Sequence, residues 1–203
     1  MIYPPKCALC GSFGSDAVCS VCFGSFHPHD PALSLPTGAL DYVGCLFDYT
    51  GRAAEAVQRL KYNRLTSLAS FMAEQMLEGA KARNVLEVDS IVPVPIHWRR
   101  RAHRGFNQAE MLCEQLPKDL VRMDILARSR ATRPQVGLSA DQRSRNMVGA
   151  FTVIGNVSGR RILLVDDVLT TSGTANECAS VLKAAGASEV GILTYAGEFR
   201  WRN

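Results

Sequence analysis

No apolar run in this 203-residue chain approaches the roughly 18 residues that a membrane-spanning helix needs, and the start, Met1-Ile2-Tyr3-Pro4-Pro5-Lys6, lacks the apolar segment of a secretory leader. A cytosolic protein is the expectation. Cysteine is odd in number, at seven, which excludes a disulfide framework that pairs them all; in a reducing compartment, close cysteine pairs point to metal instead. Charge of one sign is not in large excess either, since the formal net is only +4. What is present is ordinary globular material: 47% hydrophobic residues, enough for one good core and a small appendage.

The charge is unevenly placed. Residues 97–161 carry 13 Lys and Arg against 5 Asp and Glu, a local +8, while the rest of the chain sums to −4. A stretch so basic in an otherwise acidic chain suggests a polyanion nearby, either a pyrophosphate-bearing substrate or a nucleic-acid backbone. A solvated Arg-rich surface is the plain alternative.

Cys7-x-x-Cys10 and Cys19-x-x-Cys22 form two knuckles of the zinc-ribbon kind. Each brings two thiolates to a turn, and four fill a tetrahedral structural site. So small a module, with few large apolar residues, needs the ion to fold. A redox pair is the rival reading, which the doubled motif disfavours. His27 and His29 read as plain linker residues, and Pro28, Pro31 and Pro36 break any regular helix from Phe26 to Leu40. The expected division is residues 1–36 as ribbon and linker, and 37–203 as the main domain.

That main domain alternates strands and helices. Leu40 to Tyr49 reads as a strand, Gly51 to Tyr62 and Leu65 to Ala82 as helices, and Ser90 to Pro95 as a strand whose prolines mark its end. A loop dense in guanidinium groups follows, His97-Trp98-Arg99-Arg100-Arg101-Ala102-His103-Arg104, and then a helix from Asn107 to Leu116. The planar Arg fork suits phosphate oxygens. Residues 127–150, with five arginines, Pro134 and Gly137, form an irregular segment, either a lid or a surface loop. Phe151 to Ile154 is a short strand, a helix runs from Thr174 to Ala185, and Val190 to Tyr195 closes the chain's regular structure. Cys45, Cys113 and Cys178 are lone core residues. The pattern implies an open, mostly parallel α/β sheet with its ligand at the carboxyl edge.

One stretch organises the rest: Ile162-Leu163-Leu164-Val165-Asp166-Asp167-Val168-Leu169-Thr170-Thr171-Ser172-Gly173-Thr174. Four aliphatic residues read as a strand buried on both faces, two acids mark where it leaves the core, and a hydroxyl-rich turn opens a helix whose N–H groups suit a phosphate. These thirteen residues resemble the signature of type I phosphoribosyltransferases. Together with Val92-Pro93-Val94-Pro95 and its basic continuation into Arg104-Gly105-Phe106-Asn107-Gln108-Ala109-Glu110, the Lys61-Tyr62 turn, and the double CxxC, the chain is similar to the ComF (ComFC) family, competence-associated proteins with a phosphoribosyltransferase-like core. The segment Gln135-Val136-Gly137-Leu138-Ser139 with Arg143, Asn146 and Gly149-Ala150-Phe151 matches that family's central loop.

The resemblance implies a Rossmann-like phosphoribosyltransferase core that binds phosphoribosyl pyrophosphate (PRPP) with Mg²⁺. Asp166 and Asp167 would take the ribose hydroxyls and hold the ion indirectly; Thr170, Thr171, Ser172, Gly173 and Thr174 would cradle the 5'-phosphate; His97, Trp98, Arg99 and Arg100 would form the pyrophosphate loop, with Lys61 and Tyr62 nearby and Arg143 or Arg145 arriving from the central loop. Two departures stand out. Arg64 stands where many relatives have glycine, and Thr-Thr-Ser-Gly-Thr replaces the commoner Thr-Thr-Gly-Ala-Thr. No hood for an acceptor base is evident, so two functions follow: phosphoribosyl transfer to an unidentified acceptor, or single-stranded DNA binding by Arg99, Arg100, Arg101 and Arg104, with Trp98 and Phe106 stacking on bases and the ribbon contacting a partner such as a DNA-translocating helicase.

Overall fold

The computed structural model describes residues 4–14, 17–30, 36, 38–63, 66–130, 147–170 and 172–198. Four strands, β1 (Tyr42–Asp48), β2 (Ser90–Pro93), β5 (Arg161–Leu169) and β6 (Glu189–Gly197), form one wholly parallel sheet in the order β1-β6-β5-β2. A separate antiparallel pair joins β3 (Leu126–Arg128) to β4 (Phe151–Val153). The helices are α1 (Ser20–Gly24), α2 (Gly51–Asn63), α3 (Thr66–Ala82), α4 (Trp98–Arg104), α5 (Gln108–Leu112) and α6 (Gly173–Ala184).

Strand alternation sorts the core into two layers, because successive side chains leave a strand on opposite faces. Leu163 and Val165 of β5 pack with Val57, Leu60, Leu68, Met72 and Met76 of α2 and α3. Ile162 and Leu164 pack with Cys178, Ala179 and Leu182 of α6 and with Ile125 and Phe151. Burial on both sides explains why β5 is a continuous aliphatic run. Cys45, Cys113 and Cys178 are buried as expected of small core residues.

Several local expectations change. β5 does not leave the sheet at the acids: Asp166 pairs in register with Thr194 and Leu169 with Gly197, because β6 is long enough to keep its ladder occupied. The Arg-rich segment expected as a loop is helical, since His97 caps it through Nδ1, which accepts from the Arg99 N–H at 3.3 Å, and Gly105 ends it at φ 86°. The helix expected over Asn107–Leu116 is shorter: Asn107 is its cap and the chain turns after Leu112.

The segment after the ribbon also differs from a free linker. The His29 N–H donates to the Leu46 carbonyl and the Asp48 N–H to the His27 carbonyl, both at 2.9 Å, so these residues run antiparallel along the edge of β1. Pro28, which has no N–H to donate, falls between the bonded positions. His29 itself is buried, with Nδ1 2.7 Å from Asp48 Oδ1. Phe23 and Phe26 meet Phe47 of β1 edge to face, at 6.0 and 5.3 Å between centroids, and the Arg59 guanidinium of α2 donates to the Ala8 carbonyl. The ribbon thus shares a hydrophobic cluster with the sheet.

Candidate functional site

At the carboxyl ends of β2 and β5 lies a cleft of about 620 Å³. Its floor is the acid pair. Alternation along β5 aims the two acids apart: Asp167 shares the parity of Leu163 and Val165 and reaches Lys61 at the end of α2, Nζ to Oδ1 at 3.0 Å, while Asp166 shares the parity of the α6 layer. Burial pushes the Asp166 carboxyl up to about 7, and the Asp167 charge adds to this against the opposing pull of the Asp167 N–H, Lys61 and Arg128. Burial works to lower the Lys61 ammonium, yet the charge and hydrogen bond of Asp167, with Asp166 behind, hold it above the usual lysine value. The floor is therefore a neutralised cluster and not a bare double negative charge.

At one end of the cleft, Thr170, Ser172, Gly173 and Thr174 line the wall. The first intrahelical bond of α6 is Asn176 N–H to the Ser172 carbonyl, 2.7 Å, so the N–H groups of the turn before it have no acceptor in their own helix. Ser172 holds a left-handed backbone, φ 55° and ψ 0°, at the position where glycine is commoner. Thr171 lies outside the described residues.

The opposite wall is α4 with α5. Arg99, Arg100, His103, Arg104 and Gln108 line it. Burial and the nearby Arg104 charge lower Arg100. Trp98, 64% exposed, faces outward with the Arg99 guanidinium 5.3 Å from its ring, and Tyr62, 69% exposed, has Arg104 over it at 5.4 Å. His97 is buried behind this wall as the cap of α4, where burial and the Arg128, Arg99 and Arg100 cations lower its pKa, so that Nδ1 remains a neutral acceptor. Arg101 lies outside the cleft lining and pairs with Glu110 at 2.5 Å. Arg143 and Arg145 lie outside the described residues.

Of the polar lining residues, Tyr49, His103, Gln108 and Arg128 were given no role from the sequence. Tyr49 follows β1, Gln108 opens α5, and Arg128 ends β3. Arg128 lies over the Phe151 ring at 5.2 Å, and burial, then the Arg100 charge, brings it down to about 10. Its place as the first of the five arginines of residues 127–150 was the one available signal.

A second constellation sits in the ribbon. The Sγ atoms of Cys7, Cys10, Cys19 and Cys22 all lie within 4.8 Å of one another, with Cys10 and Cys19 at 3.7 Å. A tetrahedral Zn²⁺ with Zn–S of about 2.3 Å requires S···S of about 3.8 Å, so the donor set fits the ion. Burial would raise Cys7, but backbone N–H groups of Cys10, Cys19 and Leu9 bring it down to about 6, whereas burial and the neighbouring cysteines push Cys22 up to about 12. A bound cation would draw off the remaining protons.

The chain is similar to several known proteins. Residues 102–198 match the family model described as phosphoribosyl transferase domain. The DNA utilization protein YhgH of Salmonella typhi is 32% identical over 216 residues, covering 93% of this chain and 95% of its own. Competence protein F of Haemophilus influenzae is 33% identical over 146 residues, covering 67% of this chain and 64% of its own. Among solved structures, phosphoribosylpyrophosphate synthetase from Mycobacterium smegmatis matches 62% of this chain and 33% of its own at 22% identity, with a TM-score of 0.39.

Proposed function

The chain belongs to the ComF/ComFC family, with its type I phosphoribosyltransferase fold, and from this we propose that the cleft binds PRPP as a magnesium complex and that the protein acts in DNA uptake, with phosphoribosyl transfer to an acceptor as the reaction its site suits. The observation that carries the reading is the assembly of Asp166, Asp167 and Lys61 with the turn before α6 and the Arg wall in one cleft. Asp166 and Asp167 accept from the vicinal ribose hydroxyls and favour the positive charge that develops on the ring. The turn at Thr170 and Ser172 to Thr174 receives the 5'-phosphate. Arg99 and Arg100 face the pyrophosphate from the other side, and Lys61, released from Asp167 by the hydroxyls, turns to the same oxygens. Asp166 and Asp167 would hold magnesium indirectly, and the ion would supply neutralisation of the pyrophosphate charge. In the ribbon, Cys7, Cys10, Cys19 and Cys22 hold one structural zinc ion, which elemental analysis of the purified protein checks; a folded, metal-free protein would refute it.

The test of the cleft is thermal unfolding with PRPP and Mg²⁺. The parent protein gains stability and the double variant Asp166→Asn, Asp167→Asn does not; an equal shift in both sinks the assignment. Pyrophosphate release with candidate acceptors then reports whether transfer occurs.

A second reading has its own observation. Trp98 and Tyr62 are exposed aromatic faces, each with an arginine against it, at the Arg wall. Such pairs support stacking of unpaired bases along a cationic track, a non-catalytic role in binding single-stranded DNA. The names of the two relatives, a DNA utilization protein and a competence protein, are consistent with it. The ribbon, with Phe13 and Val21 exposed, would then contact a partner such as a DNA-translocating helicase. Binding that weakens with salt and is lost on replacing Arg99, Arg100 and Arg101 by alanine supports this role; salt-insensitive affinity refutes it.

A further inference from the structure

Two neighbouring amides at the start of α5 have different fates. Asn107 is fully employed: Oδ1 accepts from the Ala109 N–H at 3.2 Å, and Nδ2 donates to the Val94 carbonyl at 3.1 Å and to Glu110 Oε1 at 3.4 Å. It caps the helix and ties it to the end of β2. Gln108, 2% exposed, is only half employed. Its Oε1 accepts from Arg104 Nη1 at 3.1 Å, while Nε2, shielded from bulk water, has no hydrogen-bond partner among the described residues. The orientation of the amide is not arbitrary. Arg104 can only donate, so the atom facing it is the oxygen, and the other end is an NH₂ group. A buried amide donor without an acceptor is uncommon in a folded protein and calls for a cause.

Gln108 lines the cleft, on the same wall as Arg99, Arg100 and Arg104. Those three cations donate and cannot accept. The wall therefore offers its unsatisfied amide donor to the one chemistry it lacks, an oxygen acceptor, and the neighbouring guanidinium groups favour an anionic one.

We propose that Gln108 is a ligand-binding residue, its Nε2 donating to a pyrophosphate oxygen and its Oε1 holding Arg104 in place to contact the same group. The inference rests on the PRPP reading of the cleft and deepens it, because it assigns the pyrophosphate end to α5 as well as to α4. Arg104 is partly exposed and lies against the more exposed Tyr62 ring, so a ligand can reach it where the amide holds it.

The experiment is calorimetric titration of the full-length protein with inorganic pyrophosphate and, separately, with ribose 5-phosphate, each with Mg²⁺, alongside the melting temperature without ligand. Gln108→Met removes the donor and is expected to weaken pyrophosphate binding at least tenfold, with the unliganded melting temperature unchanged or raised, because a buried unsatisfied group has gone. Gln108→Glu presents an oxygen to the anion and is expected to weaken it further, roughly a hundredfold. Ribose 5-phosphate binding stays within twofold in both, which places the loss at the pyrophosphate end. Should either variant fold poorly, Gln108→Asn, which withdraws the same group by one methylene, gives the intermediate loss. Pyrophosphate affinity within twofold of the parent in the folded variants overturns the proposal while leaving the PRPP reading intact. A parent protein that binds ribose 5-phosphate but not pyrophosphate overturns the proposal alone, and one that binds neither overturns both.

Discussion

On the cleft floor, Asp167 and Lys61 stand 3.0 Å apart and largely buried, with Asp166 beside them; along the wall, Arg99 and Arg100 face the same space with no carboxylate paired to either among the described residues. The floor settles its charge internally, whereas the wall keeps its charge for something that arrives. A buried pair is held by desolvation as much as by attraction, so losing one partner leaves an uncompensated charge. Arg99 is exposed and solvated already, and the half-buried Arg100 has no carboxylate that its removal would strand among the described residues, so losing them costs the fold less. The same ligand would thus meet a floor tuned by the fold and a wall tuned by solvent.

The largest effect expected from breaking the floor is that of Lys61→Met. It strands Asp167 beside Asp166, and because Lys61 is partly exposed the cost should be about 2–3 kcal/mol, read by denaturant unfolding. An undiminished midpoint would mean that the pair contributes nothing to the fold.

Next is a pH effect. The folded-state pKa of Asp166, about 7, lies above its usual 3.8, so between these values the folded protein holds the proton that the unfolded chain releases. Asp166 therefore favours folding most in acid, and its contribution is lost as pH rises from about 4 to about 7. Asp166→Asn, which cannot ionise, should gain stability relative to the parent over that interval, by a few kcal/mol at most at pH 7.5. Parallel stability curves for the two proteins from pH 5 to 7.5 would contradict the assignment.

The wall should respond in the opposite sense. Arg99→Ala with Arg100→Ala should change stability by no more than about 0.5 kcal/mol, but reduce the salt dependence of any oligonucleotide binding by about one unit of slope for each phosphate that is no longer neutralised. A large fall in stability would make the wall structural and erase the contrast. Smallest of all is Ser172→Gly. Relief of the left-handed backbone at φ 55° is offset in large part by the greater freedom of glycine in the unfolded chain, so denaturant unfolding should show a net gain of only about 0.3 kcal/mol.

Much of the floor was legible before folding because its parts are contiguous: a doubly buried strand, two acids and a hydroxyl turn follow one another within thirteen residues. The CxxC pairs were legible for a similar reason, since ligand spacing is local. The wall was legible as charge but not as shape. His97 read as one more phosphate ligand among arginines, yet a residue with an acceptor nitrogen just before a helical turn caps it, and only the formation of α4 made that turn. Arg101 and Arg104 looked alike in a row of cations, and three residues apart they share a helix face, but one pairs with Glu110 outside the cleft lining while the other holds Gln108 inside it, because packing sets a different residue of α5 opposite each.

By itself the sequence determined the family, the alternation of strands and helices, the acid pair and the thiol set, because each depends on residues within a few positions of one another. The tertiary structure alone decided that Lys61 meets Asp167 across more than a hundred residues, that Arg128 and Gln108 enter the cleft, and that the ribbon packs onto β1 through Phe23, Phe26 and His29. Those arrangements arise from strand parity, sheet order and the burial of two faces at once, quantities that exist only after distant segments have been brought together.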